Sequence, residues 1–367
     1  MSVVLIILAV LMFVGLVVVH EWGHFIAARR GGVEVEEFGI GFPPKVWAKK
    51  IKTKKSKFIF TINLLPLGGF VRLKGENDAA DEPHSFGAAP LGTKVKIMTA
   101  GVIMNLITAL IMFTLLALIG MPKLIDNQFT VDSDTKVTRE VTITAAQVEN
   151  DQPAAKAGMQ KDDRIISIAG QKIDNSASVG EIAKDNAGKT VPVVIQRGGE
   201  QKELQVSINK ENTGKGFLGI SSSQSGITLQ RSTWSAPVVA VGLTGQLTGL
   251  TFKGIGTAVS SLFKGDTKTA SEQVSGPVGI AYILSEGSKI GFNFVLFIIA
   301  VLSLSLAIMN VLPIPALDGG RLFVLLLFKA LKKPLTKERE EAIHGTGFAA
   351  LMLLFILITF VDIKRFF

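Results

Sequence analysis

The chain contains no cysteine. That excludes disulfides in any exposed domain, and it excludes a thiolate metal site. A bound metal would have to take imidazole and carboxylate ligands. The first sixteen residues, MSVVLIILAVLMFVGL, carry no charge. They lack the positive n-region and small-residue cleavage site of a signal peptide, so a retained first helix with its N-terminus outside is expected. No internal repeat is visible, which disfavours the paired halves common among transporters.

Apolar sequence is abundant: 48% of the 367 residues are hydrophobic and the mean hydropathy is +0.42. Runs of the length that crosses roughly 30 Å of hydrocarbon occur at residues 2–28, 97–121, 291–312 and 346–362, and RLFVLLLFKAL (321–331) continues the third run after a break. The pattern predicts a polytopic α-helical membrane protein with four spans, the third interrupted.

The net charge of +9 does not point to nucleic acid, because its distribution has a simpler cause. Residues 29–96 hold 13 Lys/Arg against 7 Asp/Glu, whereas residues 121–234 hold 14 of each. Basic loops stay in the cytoplasm, so the first loop is expected inside and the long 121–285 segment outside. KALKKPLTKER (329–339) then falls inside again. The middle domain is then expected to be extracytoplasmic.

The expected divisions are 1–121, 122–215, 216–285 and 286–367. Within the first, FIFTINLLPLGGFVRLKGE (58–76) mixes β-branched and aromatic residues around Pro66, Gly68 and Gly69. It reads as a hairpin dipping into the membrane face of the protein. In the second, PAAKAGMQKDDRIISIAGQKI (153–173), a helical VGEIAKDN (179–186) and a hairpin turning at Gly198–Gly199 make a small α+β domain. That order resembles a PDZ domain, a resemblance that implies binding of extended peptide along a sheet edge. The 234–265 segment has helical spacing interrupted by Gly and Thr, and is expected to be an interfacial amphipathic helix.

The chemistry concentrates in HEWGH (20–24). Ionisable groups at membrane depth are costly and usually serve a function. On a helix His20 and His24 share a face, and Glu21 stands beside them, which is the H-E-x-x-H pattern of zinc proteases. Zinc needs a third protein ligand, and the candidates are His84, His344 or a carboxylate. His84 lies in an acidic polar loop and His344 at the start of the last span. Asp318, in NVLPIPALDGGRL (310–322), interrupts the third run where Pro313 and Pro315 stop a helix and Gly319–Gly320 permit unusual backbone. Topology brings it to the depth of His24; a helix-capping role is the plainer alternative.

HEWGH in a first span, LLPLGGFVRLKGE (64–76), GVIMN (101–105), SGPVGI (275–280) and NVLPIPALDGG together resemble the site-2 protease family of intramembrane zinc metalloproteases, of the bacterial regulator-of-sigma-E protease type. The resemblance covers nearly the whole chain, with one PDZ domain where better-known relatives carry two. It implies that His20, His24 and Asp318 bind zinc and that Glu21 is the general base. It also implies that Asn310, Pro313 and the Gly68–Gly69–Phe70 edge contact substrate, and that Asn105 lends polar support. The implied partners are single-span membrane proteins, such as anti-sigma factors or signal-peptide remnants, and the lipid bilayer; nucleic acid is not among them. Two other classes compete: a non-enzymatic PDZ scaffold or chaperone, and a divalent-metal transporter.

Overall fold

The computed structural model describes residues 2–53, 56–212 and 214–367. In chain order the elements are α1 (Ser2–Arg30), β1 (Val35–Thr53), β2 (Ser56–Leu73), α2 (Leu91–Ile119), β3 (Met121–Pro122), β4 (Lys136–Val148), α3 (Pro153–Lys156), β5 (Arg164–Ile168), β6 (Gln171–Lys172), α4 (Ser176–Asp185), β7 (Thr190–Arg197), β8 (Glu200–Ser207), β9 (Ile220–Arg231), α5 (Ala236–Phe263), α6 (Thr267–Glu272), α7 (Pro277–Ile290), α8 (Phe292–Val311), α9 (Asp318–Ala330) and α10 (Lys337–Phe366). They form two compact units. One is chiefly Pro122–Asp126 with Thr135–Arg231; the other is Val3–Met121, Asn127–Asp134 and Ser232–Phe367.

The smaller unit is an α+β sheet structure with strand order β9-β4-β5-β7-β8, β6 paired to β5 and β3 beyond β9. Alternation drives it: Val191, Val193 and Ile195 of β7 turn inward to meet Ile143, Ile165, Ile168, Ile182 and Val206. The β7–β8 hairpin turns at Gly198 and Gly199, both at positive φ, as a two-residue hairpin connection of the primed type requires. Asn175 caps α4 by accepting from Ser178 N at 2.9 Å. The sheet continues through β9 to Arg231, past the boundary expected at residue 215. Pairing with β4 along its whole length, from Lys136↔Arg231 to Val148↔Ile220, draws β9 in.

The larger unit holds the long helices. Five are long and apolar enough to cross a membrane: α1, α2, α5, α8 and α10. That is one more than expected. The addition is α5, the segment expected at the interface; at 1.2 its mean hydropathy is the lowest of the five. It packs along α2 and buries Val239, Ala240, Leu243 and Thr244. The third run is broken as its prolines demand. Helix α8 stops at Val311, and α9 restarts at Asp318 after a turn in which Ala316 has φ +79°. Gly319 and Gly320 are needed there because a β-carbon would lie 2.4 Å from the Val311 carbonyl oxygen and 1.9 Å from that of Ile314, respectively.

Strands β1 and β2 differ from the hairpin expected within 58–76. Residues 45–53 and 56–63 pair with each other, so the basic stretch read as loop is strand. Glu37, Phe38, Gly39 and Ile40 each pair twice, with 69–72 on one side and 59–62 on the other. Both strands therefore bend, β1 through Gly41 at φ +80°. The Gly68–Gly69 stretch thus pairs with residues before it in β1, not with its own neighbours.

Candidate metal centre

Helix α1 carries His20 and His24 one turn apart, and the start of α9 brings Asp318 to both. His20 Nε2 lies 3.0 Å and His24 Nε2 3.1 Å from the same Asp318 Oδ2, and the two Nε2 atoms are 3.2 Å apart. Among the described residues this is the one group of three or more potential metal ligands.

The far side of each ring is anchored on α2. His24 Nδ1 is 2.7 Å from the Ile97 carbonyl oxygen. A carbonyl can only accept, so that nitrogen carries the proton and Nε2 presents its lone pair to the cluster. His20 Nδ1 is 3.2 Å from Asn105 Nδ2, while Asn105 Oδ1 is buried without a partner. The two ends of an amide are isosteric. Turned over, Oδ1 would accept from a protonated His20 Nδ1 and gain its missing partner, leaving both Nε2 lone pairs on the same point. Ser303 of α8 donates to the Asn105 carbonyl oxygen at 2.8 Å and holds that stretch of α2 in turn.

Two imidazole lone pairs and a carboxylate facing one another at 3.0–3.2 Å form an arrangement that a cation completes. Three corners of a tetrahedron with zinc–ligand bonds of ~2.0–2.1 Å would be ~3.3 Å apart, so the donor set and its spacing fit zinc. Space for the rings comes from Gly101. A β-carbon there would lie 2.5 Å from His24 Nε2 and 2.7 Å from His20 Nε2. Gly23 likewise lets α1 approach α2, where a β-carbon would meet the Ala100 oxygen at 2.6 Å.

Glu21 and His24 line a cavity of about 210 Å³ with Phe70, Val71, Leu73, Glu76, Phe86, Ile97, Met98, Asp318 and Arg321. Strand β2 closes on it: a β-carbon on Gly69 would sit 3.2 Å from Glu21 Cγ. Arg321 donates to Glu76 Oε1 at 2.8 Å, stacks on Phe86 at 5.2 Å, and so ties the loop after β2 to the start of α9.

Residues 8–354 match the model of peptidase family M50. The chain belongs to peptidase family M50. The regulator of sigma-W protease RasP of Bacillus subtilis is 29% identical, with 98% of each chain covered. The zinc metalloprotease RasP of Oceanobacillus iheyensis is 28% identical over the same share of both chains. This M50 chain is therefore a zinc metalloprotease held in a membrane by apolar helices.

The other residues singled out in the M50 sequence are distributed as follows. Gly68 and Gly69 are buried and Phe70 lines the cavity. Asn310 is half-buried at the end of α8 and Pro313 is exposed in the turn that follows; neither is among the lining residues. His84 Nδ1 faces the Gly32 carbonyl oxygen at 3.2 Å. His344 accepts from Ala316 N at 3.3 Å, so it braces the turn leading to Asp318. Sequence reasoning missed Gly101, Glu76 and Arg321. Gly101 opens the GVIMN motif, and its spacing of four from Asn105 was the available signal.

Proposed function

We propose that this M50 peptidase is an intramembrane endopeptidase that cuts the transmembrane segments of single-span membrane proteins. His20, His24 and Asp318 would hold the zinc, and Glu21 is the general base. The observation that carries the reading is the convergence of those three ligand atoms within 3.2 Å on elements drawn from apolar runs. A non-enzymatic scaffold needs no such cluster.

When bound, zinc supplies Lewis-acid polarisation of the scissile carbonyl and lowers the pKa of water at the site. The chain's own residues do the rest. Glu21 takes a proton from the attacking water as its oxygen bonds to the carbonyl carbon, then delivers that proton to the amine nitrogen as the C–N bond breaks. Asn105 and the Ile97 carbonyl hold the imidazoles in the tautomer that leaves Nε2 free.

A membrane helix must unwind to be cut, which strands backbone groups in lipid at several kcal/mol each. Residues 69–72 pair with 37–40 on one side, and Gly69 abuts Glu21. A substrate strand added to the other side would regain its hydrogen bonds beside the general base. Asn310 at the end of α8 and Pro313 in the turn that follows would steady the segment further along.

The same contact favours four spans. Asp318 follows α8 and meets the last turns of α1, so α8 must end on the side where α1 ends. Helix α2 has by then returned the chain to the other side, so an even number of crossings lies between α2 and α8. Helix α5 alone cannot cross. Helix α7, with 14 residues, spans only ~21 Å. With the basic 29–96 loop inside, the site lies near the cytoplasmic face and the α+β unit is extracytoplasmic. The order β4, α3, β5, α4, β7, β8, β9 around one sheet supports a PDZ-type peptide binder that filters substrates. Anti-sigma factors are a substrate class consistent with the name of the B. subtilis relative; signal-peptide remnants are another.

The test is Glu21→Gln in the full chain. We expect wild-type insertion and zinc content with cleavage of a single-span reporter reduced by about 10²–10⁴-fold. Normal cleavage by that variant would remove Glu21 from the mechanism.

A further inference from the structure

From Phe42 to Lys50 every side chain of β1 is exposed. Val46 is 64% exposed, and Leu64 across the hairpin 60%. Phe42, Trp47, Ile62 and Leu65 stand open beside them. So many large apolar side chains on one small hairpin exceed what an aqueous surface normally carries. Among the described residues, 45–53 pair only with 56–63, so this is also the outer edge of the sheet.

Charge then changes along the strand. Lys45, at the apolar end, is bound to the buried Glu37 at 2.8 Å. Lys49, Lys50, Lys52 and Lys57 follow, all exposed, and none has an acidic partner among the described residues. The hairpin is thus divided lengthwise into an apolar end and a cationic end. Trp47 and Lys50 are three residues apart, ~10 Å along a strand. That compares with the ~5–8 Å thickness of the headgroup layer on one side of a bilayer. Tryptophan favours that boundary, and lysines beside a membrane favour anionic lipid.

We propose that the β1–β2 hairpin is a docking surface for anionic phospholipid, with Phe42, Val46, Trp47, Leu64 and Leu65 in the acyl region and Lys49, Lys50, Lys52 and Lys57 on the phosphates. The inference does not depend on proteolysis. It adds a consequence to it, since the same sheet carries Gly69 beside Glu21 and lipid charge would set how that sheet seats.

The test uses the full chain in phosphatidylcholine vesicles containing a minor share of phosphatidylglycerol. One lipid at a time carries brominated acyl chains, and Trp47 is isolated as wild type minus Trp47→Phe. At equal mole fraction, brominated phosphatidylglycerol should quench Trp47 at least about twofold more than brominated phosphatidylcholine. High salt on the unmodified protein should abolish the difference, and Lys49→Gln combined with Lys50→Gln, Lys52→Gln and Lys57→Gln should at least halve it. Equal quenching by both lipids at low salt overturns the proposal. So does absence of quenching, which would leave the lysines as guards against strand addition at a free edge. The readout involves no cleavage, so failure here would leave the protease reading untouched.

Discussion

Gly101→Ala tests the metal centre from a position that offers no side chain of its own. The added methyl would lie 2.5 Å from His24 Nε2, 2.6 Å from His20 Cε1 and 2.7 Å from His20 Nε2. Ordinary carbon contacts begin near 3.4 Å, so rings or helix must give by about 0.9 Å. Helix α2 cannot withdraw freely, because its Ile97 carbonyl anchors His24 at 2.7 Å and its Asn105 anchors His20 at 3.2 Å. The rings cannot withdraw without leaving Asp318. A displacement near 1 Å costs about a hundredfold in rate, and loss of an outer partner costs ~10–100-fold in metal affinity. Both should appear together.

The assay is zinc per chain after dialysis against a competing chelator, with reporter cleavage measured on the same sample. Gly92→Ala is the control. It lies on the same helix, nothing lies within 4 Å of its added methyl, and replacing helical Gly with Ala is worth ~0.5–1 kcal/mol in the stabilising direction. We expect Gly92→Ala to match wild type and Gly101→Ala to lose both zinc and cleavage while remaining inserted. Zinc retention and cleavage within about twofold of wild type in Gly101→Ala would refute the packing argument.

Gly69→Ala should separate catalysis from metal binding. Its methyl would meet the Gly39 oxygen at 3.1 Å and Glu21 Cγ at 3.2 Å, a milder clash that should cut cleavage by about tenfold with zinc content unchanged; a parallel loss of zinc would sink that separation. Asp134 predicts a pH effect on stability. It accepts from Ser235 Oγ at 2.6 Å and N at 3.0 Å, and from Thr233 Oγ1 at 2.5 Å and N at 2.7 Å. The Ser235 and then the Thr233 hydrogen bonds hold its carboxyl well below the usual range. Because the folded pKa is depressed, its contribution is full above the unfolded value of about 3.9 and is lost as pH falls towards the folded value. The melting-temperature gap between wild type and Asp134→Asn should therefore be widest near neutrality and narrow in acid. A gap independent of pH would count against it.

The clustering of His20, His24 and Asp318 could be read from the sequence because helical spacing and the breaks in the apolar runs each left few alternatives. His20 and His24 share a face by periodicity alone, and the prolines and glycines around Asp318 announced a break at the right depth. In sequence His344 reads as an interfacial side chain, and only the fold reveals that it braces Ala316. Arg321 and Glu76 are 245 residues apart, so no local pattern could pair them. Strand β1 was hidden by its lysines, which read as loop, although alternation is irrelevant to an edge exposed on both faces. The sheet's extension to Arg231 was hidden for a related reason. SSSQSG within β9 is too polar to signal a strand, and its pairing with β4 is supplied by backbone.

The cluster depends on one stripe of α2 as much as on His20, His24 and Asp318 themselves. Ile97, Gly101 and Asn105 recur every four residues, so they line one face. His20 and His24 repeat the same interval on α1. In that register the Ile97 carbonyl meets one ring, the Asn105 amide meets the other, and Gly101 leaves the gap between them. Shifting either helix by one residue would turn its ligands or anchors through about 100° and strand polar groups where unpaired ones cost several kcal/mol. A membrane helix can carry two histidines here because the neighbouring helix offers each a polar partner at the matching height. Its glycine is the condition for the two helices coming close enough to do so.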